Sequence, residues 1–221
     1  MERIEDLNLN GLKIIQDDSL YCFTSDAVLL SKFANVKKGD VVADFCSGSG
    51  IVGLNLYGLN ANLVKSVTLF EMQTSLFEMS KKTIELNKLQ DVFTPVNTRV
   101  QDILSDYNER FSLIVCNPPY MPANSGMVDN DLRIAICKSE IELTLCDLVK
   151  SIAKALKFGG RVCMCHRADR LADVMYQMKL CGIEPKRLQT VNAKNKQPYL
   201  ILIEGVKGGK SGLKILNPLE N

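Results

Sequence analysis

The chain has 221 residues, 46% hydrophobic and 24% charged, enough for a single domain with a sizeable core. No apolar run approaches the length of a membrane span, and the polar start Met1-Glu2-Arg3-Ile4-Glu5-Asp6 lacks the apolar stretch of a signal peptide. Eight cysteines fall mostly inside apolar runs and make no C-x-x-C pair, so reduced core thiols are expected in a cytoplasmic protein, with no metal and no membrane partner.

The net charge of +2 hides an asymmetry. Residues 1–149 carry 13 Lys+Arg against 20 Asp+Glu, whereas residues 150–214 carry 14 against 4. A basic C-terminal third is an electrostatic footprint for a polyanion, with a solvated cationic surface as the competing reading.

In chain order, Leu7 to Ile14 alternates around Asn10-Gly11, a strong hairpin signal. A polar loop, Gln16 to Ser19, follows. Residues 1–23 are expected to form a hairpin extension capping one end of a sheet, and 24–221 the main domain. Thr24-Ser25-Asp26 precedes an apolar helix start. Strands are expected at 41–45, 67–71, weakly at 93–98 around Pro95, at 113–116 and at 162–165. Helices are expected after Gly50, over 74–89, over 139–157 ending at Gly159-Gly160, and over 169–181. Two last strands, near 187–191 and 199–204, are closely connected and should be antiparallel. The alternation predicts an α/β fold with a mostly parallel sheet covered on both faces.

Chemistry concentrates at the strand ends. Asp44-Phe45-Cys46-Ser47-Gly48-Ser49-Gly50 closes the first of these strands, and its glycines permit positive φ and close backbone approach to a ligand. Gly48, Gly50 and Gly53 nearly satisfy the dinucleotide fingerprint, with Glu71 at the expected distance. Spacing alone leaves NAD and S-adenosylmethionine open. Asp44 favours the second, because a carboxylate suits the methionine ammonium and repels a pyrophosphate. Glu71, followed by Met72, could accept from ribose hydroxyls, and Asp102 could reach an adenine amino group.

Asn117-Pro118-Pro119-Tyr120 follows the apolar run 113–116. Two prolines stop the strand and remove two donors. The Asn117 amide and the Pro118 carbonyl then form an acceptor pair beside the flat Tyr120 ring, which suits a planar ring bearing an –NH2 group.

Asp44 to Gly50, Glu71, Asp102 and Asn117 to Tyr120, in that order, resemble the class I S-adenosylmethionine-dependent methyltransferases over about residues 24–205. The resemblance implies a Rossmann-like, seven-stranded sheet with its last strand antiparallel and S-adenosylmethionine as cofactor. It implies cofactor contacts at Thr24, Asp26, Asp44, Cys46, Gly48, Gly50, Glu71, Met72, Asp102 and Asn117, and a catalytic segment of Asn117, Pro118, Pro119 and Tyr120. Helix capping explains Thr24 and Asp26 equally well. With Arg133 to Ile141, His166 to Leu171 and Ile203 to Gly209, the chain is further similar to the tRNA adenine-N6 methyltransferases that act beside the anticodon of a valine tRNA. A tRNA partner follows, with Arg133, Lys138, Arg167, Arg170, Lys194 and Lys196 as candidate phosphate contacts. A glutamine N5-methyltransferase acting on release factors shares the Asn-Pro-Pro-Tyr signature, and a non-catalytic RNA-binding module is the alternative from another class. His166 reads as a structural or backbone-positioning residue.

Overall fold

The computed structural model describes residues 1–20, 22–120 and 143–221. Two antiparallel strands, β1 (Glu2–Asp6) and β2 (Lys13–Asp17), form a separate sheet. Asn10-Gly11 lies in the six-residue connection between them rather than in a two-residue turn. Asn8, Asn10 and Gly11 all take positive φ there, as residues tolerant of the left-handed region do. The expected polar loop is displaced too: Gln16 belongs to β2 and is buried.

The main sheet is built from β3 (Asp40–Phe45), β4 (Val64–Glu71), β5 (Phe93–Asn97), β6 (Phe111–Cys116), β7 (Leu156–Arg167), β8 (Ile183–Asn192) and β9 (Pro198–Lys207). Their spatial order is β5-β4-β3-β6-β7-β9-β8. All neighbours from β5 to β7 are parallel, and β9 runs antiparallel to both β7 and β8. Among the described residues the sheet has nine strands rather than seven. The two-residue strands β10 (Lys214–Ile215) and β11 (Leu219–Glu220) both pair along β8. Pro95 is tolerated because β5 is an edge strand, whose outer side has no ladder to lose.

Side-chain alternation along β3 shows how the two faces fill. Val42 points into one core with α1 (Ser25–Phe33), α2 (Ile51–Asn60) and the hairpin residues Leu12 and Ile14. Ala43 and Phe45 point into the other, with α4 (Leu145–Ala155) and α5 (Leu171–Leu180). Between them in sequence, α3 (Thr74–Leu86) seals Ile15 of the hairpin with Leu76 and Met79. Near-continuous apolar strands buried on both faces are the signature of such a sheet.

Two boundaries differ from the sequence reading. Helix α4 begins after Thr144, whose Oγ1 accepts from Asp147 N, inside the range expected for one continuous helix; residues 139–142 of that range lie outside the described residues. Gly159-Gly160 is no helix stop, because β7 starts at Leu156 directly after the helix. Gly160 sits where a Cβ would lie 2.7 Å from the Lys157 carbonyl oxygen, so its place in the strand requires glycine.

Part of the basic C-terminal excess is structural. Arg161, 5% exposed, pairs with Asp40 at 2.6 Å, and Ser112 Oγ donates to the same carboxylate at 2.7 Å. Arg187 pairs with Glu204 at 2.8 Å and lies 4.5 Å over the Phe33 ring.

Candidate active site

The carboxyl ends of β3, β4 and β6 lie side by side, and the candidate residues meet there. After Phe45 the chain turns sharply. Cys46 has φ 58, Gly48 φ 56 and Gly50 φ 89. A non-glycine residue in the left-handed region stores strain of order 1 kcal/mol, which proteins retain mainly where geometry serves a site. Ser47 N donates to the Phe70 carbonyl at 3.0 Å and Gly50 N to Ser47 O at 2.8 Å, which pins the turn to β4. Above Gly48 a Cβ would meet nothing within 4 Å, so the turn leaves open space on that side.

Asp44 is fully buried under α2. Its Oδ2 accepts from Gly53 N at 2.8 Å, while Oδ1 has no hydrogen-bond partner among the described residues. Gly53 permits this close approach: a Cβ there would stand 2.9 Å from a Leu69 methyl. Burial pushes the Asp44 carboxyl up to about 7, with the Gly53 bond opposing and the Glu71 charge adding to the rise. Glu71 ends β4. Its two oxygens accept from Gly48 N and Gln73 N, each at 2.8 Å, and burial raises its pKa as well. Asn97, which the sequence reading passed over, caps the neighbouring strand end. Its Nδ2 donates to the Glu71 and Met72 carbonyls at 2.8 and 3.1 Å.

Asp102 departs from its expected place. It lies in a short 3-10 turn, Val100–Asp102, five residues beyond the end of β5, and is exposed, with Arg99 3.8 Å away. Cys46, Gly48 and Met72 are all half-buried around the turn.

At the end of β6, Asn117 and Tyr120 are half-buried and Pro118 is buried. Asn117 Oδ1 accepts from the Cys165 thiol at 2.8 Å. Burial holds that thiol far above its usual pKa, so it stays a neutral donor. The Tyr120 hydroxyl donates to Asp26 Oδ2 at 2.6 Å. Asp26 is buried in the first turn of α1, so the segment before that helix belongs to the site. Thr24 is exposed and forms no side-chain cap, which removes the capping explanation for it. His166 is buried beside this group, its ring 5.9 Å from that of Tyr120. Its Nδ1 accepts from Arg167 N, which leaves the proton on Nε2, and burial lowers its pKa to about 4.

Gln16 is a site neighbour that sequence reasoning missed. Its Nε2 donates to Ser49 Oγ at 2.8 Å, and its Oε1 accepts from Phe23 N at 3.2 Å. One buried amide thus joins the hairpin to the Gly-rich turn and to the chain entering α1. The only signal in the sequence was a Gln directly after the apolar pair Ile14-Ile15.

Of the candidate phosphate contacts, Arg133 and Lys138 lie outside the described residues. Arg167 is bonded to Asp169 and Arg170 to Asp173, while Lys194 and Lys196 stand exposed in the turn between β8 and β9.

A strand order with one antiparallel strand inserted beside β7, and buried acids at two adjacent strand ends, define a Rossmann-like class I methyltransferase. Solved structures share this fold: a predicted O-methyltransferase from Agrobacterium tumefaciens has a TM-score of 0.68 at 17% identity, with 88% of each chain covered. A tRNA m1G37 methyltransferase from Methanocaldococcus jannaschii gives 0.64 at 16%, covering 95% of this chain and 55% of that one. Residues 24–168 match the Methyltransferase small domain family, and the chain belongs to it. Curated relatives include a tRNA1(Val) (adenine(37)-N6)-methyltransferase of Shewanella baltica, 27% identical over 81% of this chain and 75% of that protein. The protein of the same description in Trichodesmium erythraeum is 21% identical over 84% and 77%. A release factor glutamine methyltransferase of Mycoplasma mycoides is 27% identical over 47% of this chain and 36% of its own length.

S-adenosylmethionine is the cofactor of this class, and the residues present fit it. The unpartnered Asp44 Oδ1 marks where a cationic donor is wanted, and the space above Gly48 leaves the turn open to close approach.

Proposed function

We propose that this protein methylates the exocyclic N6 of an adenine in tRNA, with the adenine beside the anticodon of a valine tRNA as its target. The observation that carries the reading is the grouping of Asn117, Tyr120 and Asp26 at the end of β6, next to the cofactor turn. The breadth of similarity to relatives named for that reaction supports the choice of amine, since the release factor relative aligns over less than half of this chain.

In this reading Asp44 and Glu71 hold the ammonium and ribose of the cofactor, and Met72 lies beside the ribose. Bound S-adenosylmethionine supplies an electrophilic methyl group. The target base lies against Tyr120, where stacking contributes roughly 1–3 kcal/mol. A base in an anticodon loop is already unpaired, so taking it out of its stack costs less than from a duplex.

The Asn117 side-chain oxygen and the Pro118 backbone carbonyl accept the two N6 hydrogens. The two prolines bring no N–H of their own to compete for these acceptors. Asn117 Oδ1 faces Cys165 in the structure. Rotation of the amide by half a turn points Oδ1 at the base and leaves Nδ2 against a sulfur that accepts only weakly. Once the amide is so turned by the bound base, the acceptors face N6 before transfer and stabilise the positive charge it gains. The proton leaves after transfer, so no general base is needed, and His166 stays neutral with Nδ1 already engaged.

The test is incubation with labelled S-adenosylmethionine and, in parallel, unmodified tRNA, release-factor protein and DNA. Label on tRNA, lost when the target adenine is replaced, is expected. Label on protein alone overturns the reading in favour of glutamine.

A further inference from the structure

Next to the candidate active site is a cavity of about 360 Å³, lined by Tyr120, Arg167, Asp169, Pro198, Tyr199 and Leu200. It shares Tyr120 with the catalytic segment but does not include Asn117. It extends instead towards the start of β9. Tyr199 is 40% exposed at the start of β9. Its hydroxyl accepts from Asn221 Nδ2 at 2.8 Å, and the same amide donates to Ser25 Oγ at 3.0 Å, so the ring is held in place while its face stays open. Also in the lining, Asp169 grips the Arg167 guanidinium through Nε at 3.0 Å and through Nη2, which fixes its plane. Lys194 and Lys196 stand exposed in the adjoining turn. Asp169 offsets Arg167 within the lining, so the positive charge near the opening comes from the lysine turn that leads into Pro198.

A fixed aromatic face, a planar cation and a neighbouring pair of exposed lysines suit a single-stranded nucleotide. Continuity with Tyr120 identifies which nucleotide. A base seated against Tyr120 must send its backbone out through this opening or past it. We propose that the cavity is a subsite for the unpaired nucleotide next to the methylated adenine, its base stacked on Tyr199 and its phosphate facing Arg167 and the turn of Lys194 and Lys196. The inference rests on the tRNA reading above. The subsite is sequence-tolerant, because stacking uses a face that every base has.

The experiment compares wild type, Tyr199→Ala and Tyr199→Phe in steady-state methylation of an unmodified valine tRNA transcript. It repeats the series on transcripts in which each nucleotide flanking the target is made abasic in turn. S-adenosylhomocysteine affinity, measured by calorimetry, reports whether each variant is folded. Stacking of ordinary strength predicts that Tyr199→Ala raises KM for the transcript roughly tenfold, with kcat nearly unchanged and Tyr199→Phe close to wild type. One abasic transcript should show the same loss with wild type, and combining it with Tyr199→Ala should add little further, as for groups that act on each other. Unchanged KM in Tyr199→Ala, equal damage in Tyr199→Phe, or fully additive losses on every abasic transcript overturns the subsite while leaving the tRNA reading intact. A wild type that methylates no tRNA overturns both.

Discussion

The Tyr120 hydroxyl donates to the buried carboxylate of Asp26 at 2.6 Å, across 94 residues of sequence. This bond fastens the segment after β6 to the first turn of α1, so the stacking face and the entry to the cofactor turn are held as one unit. A hydrogen bond to a charged group contributes about 1.5–3 kcal/mol. Tyr120→Phe keeps the ring and loses the bond. Its melting temperature should fall, and kcat should drop several-fold with little change in KM for RNA, because the face remains but its placement loosens. Tyr120→Ala should also raise KM. A Tyr120→Phe enzyme with wild-type melting and wild-type kcat would show that Asp26 does not position the ring.

Asn117→Ala should abolish methyl transfer while S-adenosylhomocysteine still binds within a few-fold of wild type, as measured by calorimetry. The side chain is half-buried, and its removal leaves the core thiol of Cys165 without its acceptor; a thiol is a weak donor, so the cost to folding should be small. Cys165→Ala tests the support of that side chain. The expected result is a partial loss of kcat with unchanged cofactor affinity. Full transfer by Asn117→Ala would remove Asn117 from the chemistry.

What the sequence made legible follows a physical pattern. Asp44, Glu71 and Asn117 lie at or near strand ends that hydrophobic runs delimit, and a strand end is a place that periodicity can find. The parallel pairing of the central strands and the antiparallel β9 follow from alternation and a short connection, whereas the spatial order of the strands left no trace in the sequence. Asp102 was misplaced because a 3-10 turn separates it from β5, and such turns leave no periodic trace. The start of α4 was missed because the apolar pattern runs on past the true cap at Thr144. Gln16 and Cys165 were invisible as site residues. Each reaches the site by a side-chain bond to a residue more than 30 positions away, Ser49 for Gln16 and Asn117 for Cys165, and local composition says nothing about such a contact. Arg161 and Arg187 counted towards a basic surface but are used inside the fold, since a charge count does not know which charges are buried.

Gln16 gives a prediction of its own. Gln16→Leu conserves most of the volume but strands Ser49 Oγ and Phe23 N, and an unpaired buried polar group costs about 1–3 kcal/mol. Apparent stability should fall by that order. Because Ser49 sits between Gly48 and Gly50, loosening it should also weaken the cofactor pocket. The rise in melting temperature on adding saturating S-adenosylhomocysteine should therefore be smaller in the variant than in wild type. An equal ligand-induced rise in both would confine Gln16 to folding.

Asp44 gives the pH dependence. Burial holds its carboxyl at about 7 in the folded protein, against 3.8 for an ordinary aspartate. Between those values the folded state carries a proton that the unfolded state lacks. The associated stability is fully present below about pH 4 and is lost as pH rises through 7. Glu71 is raised by burial and acts in the same direction. His166 acts in the opposite one: pulled from 6.5 to about 4, it costs stability as pH falls through that window. The raw pH profile therefore mixes opposing slopes, and Asp44→Asn separates them by removing only the first. The melting temperature of wild type minus that of the variant should become steadily more negative from pH 5 to 8. A cationic group placed at the unpartnered Asp44 Oδ1 favours the ionised carboxylate, so wild-type affinity for S-adenosylmethionine should strengthen over the same range while the variant's stays flat. A flat difference in melting temperature would mean that Asp44 is ionised throughout, and parallel affinity curves would place the methionine ammonium elsewhere.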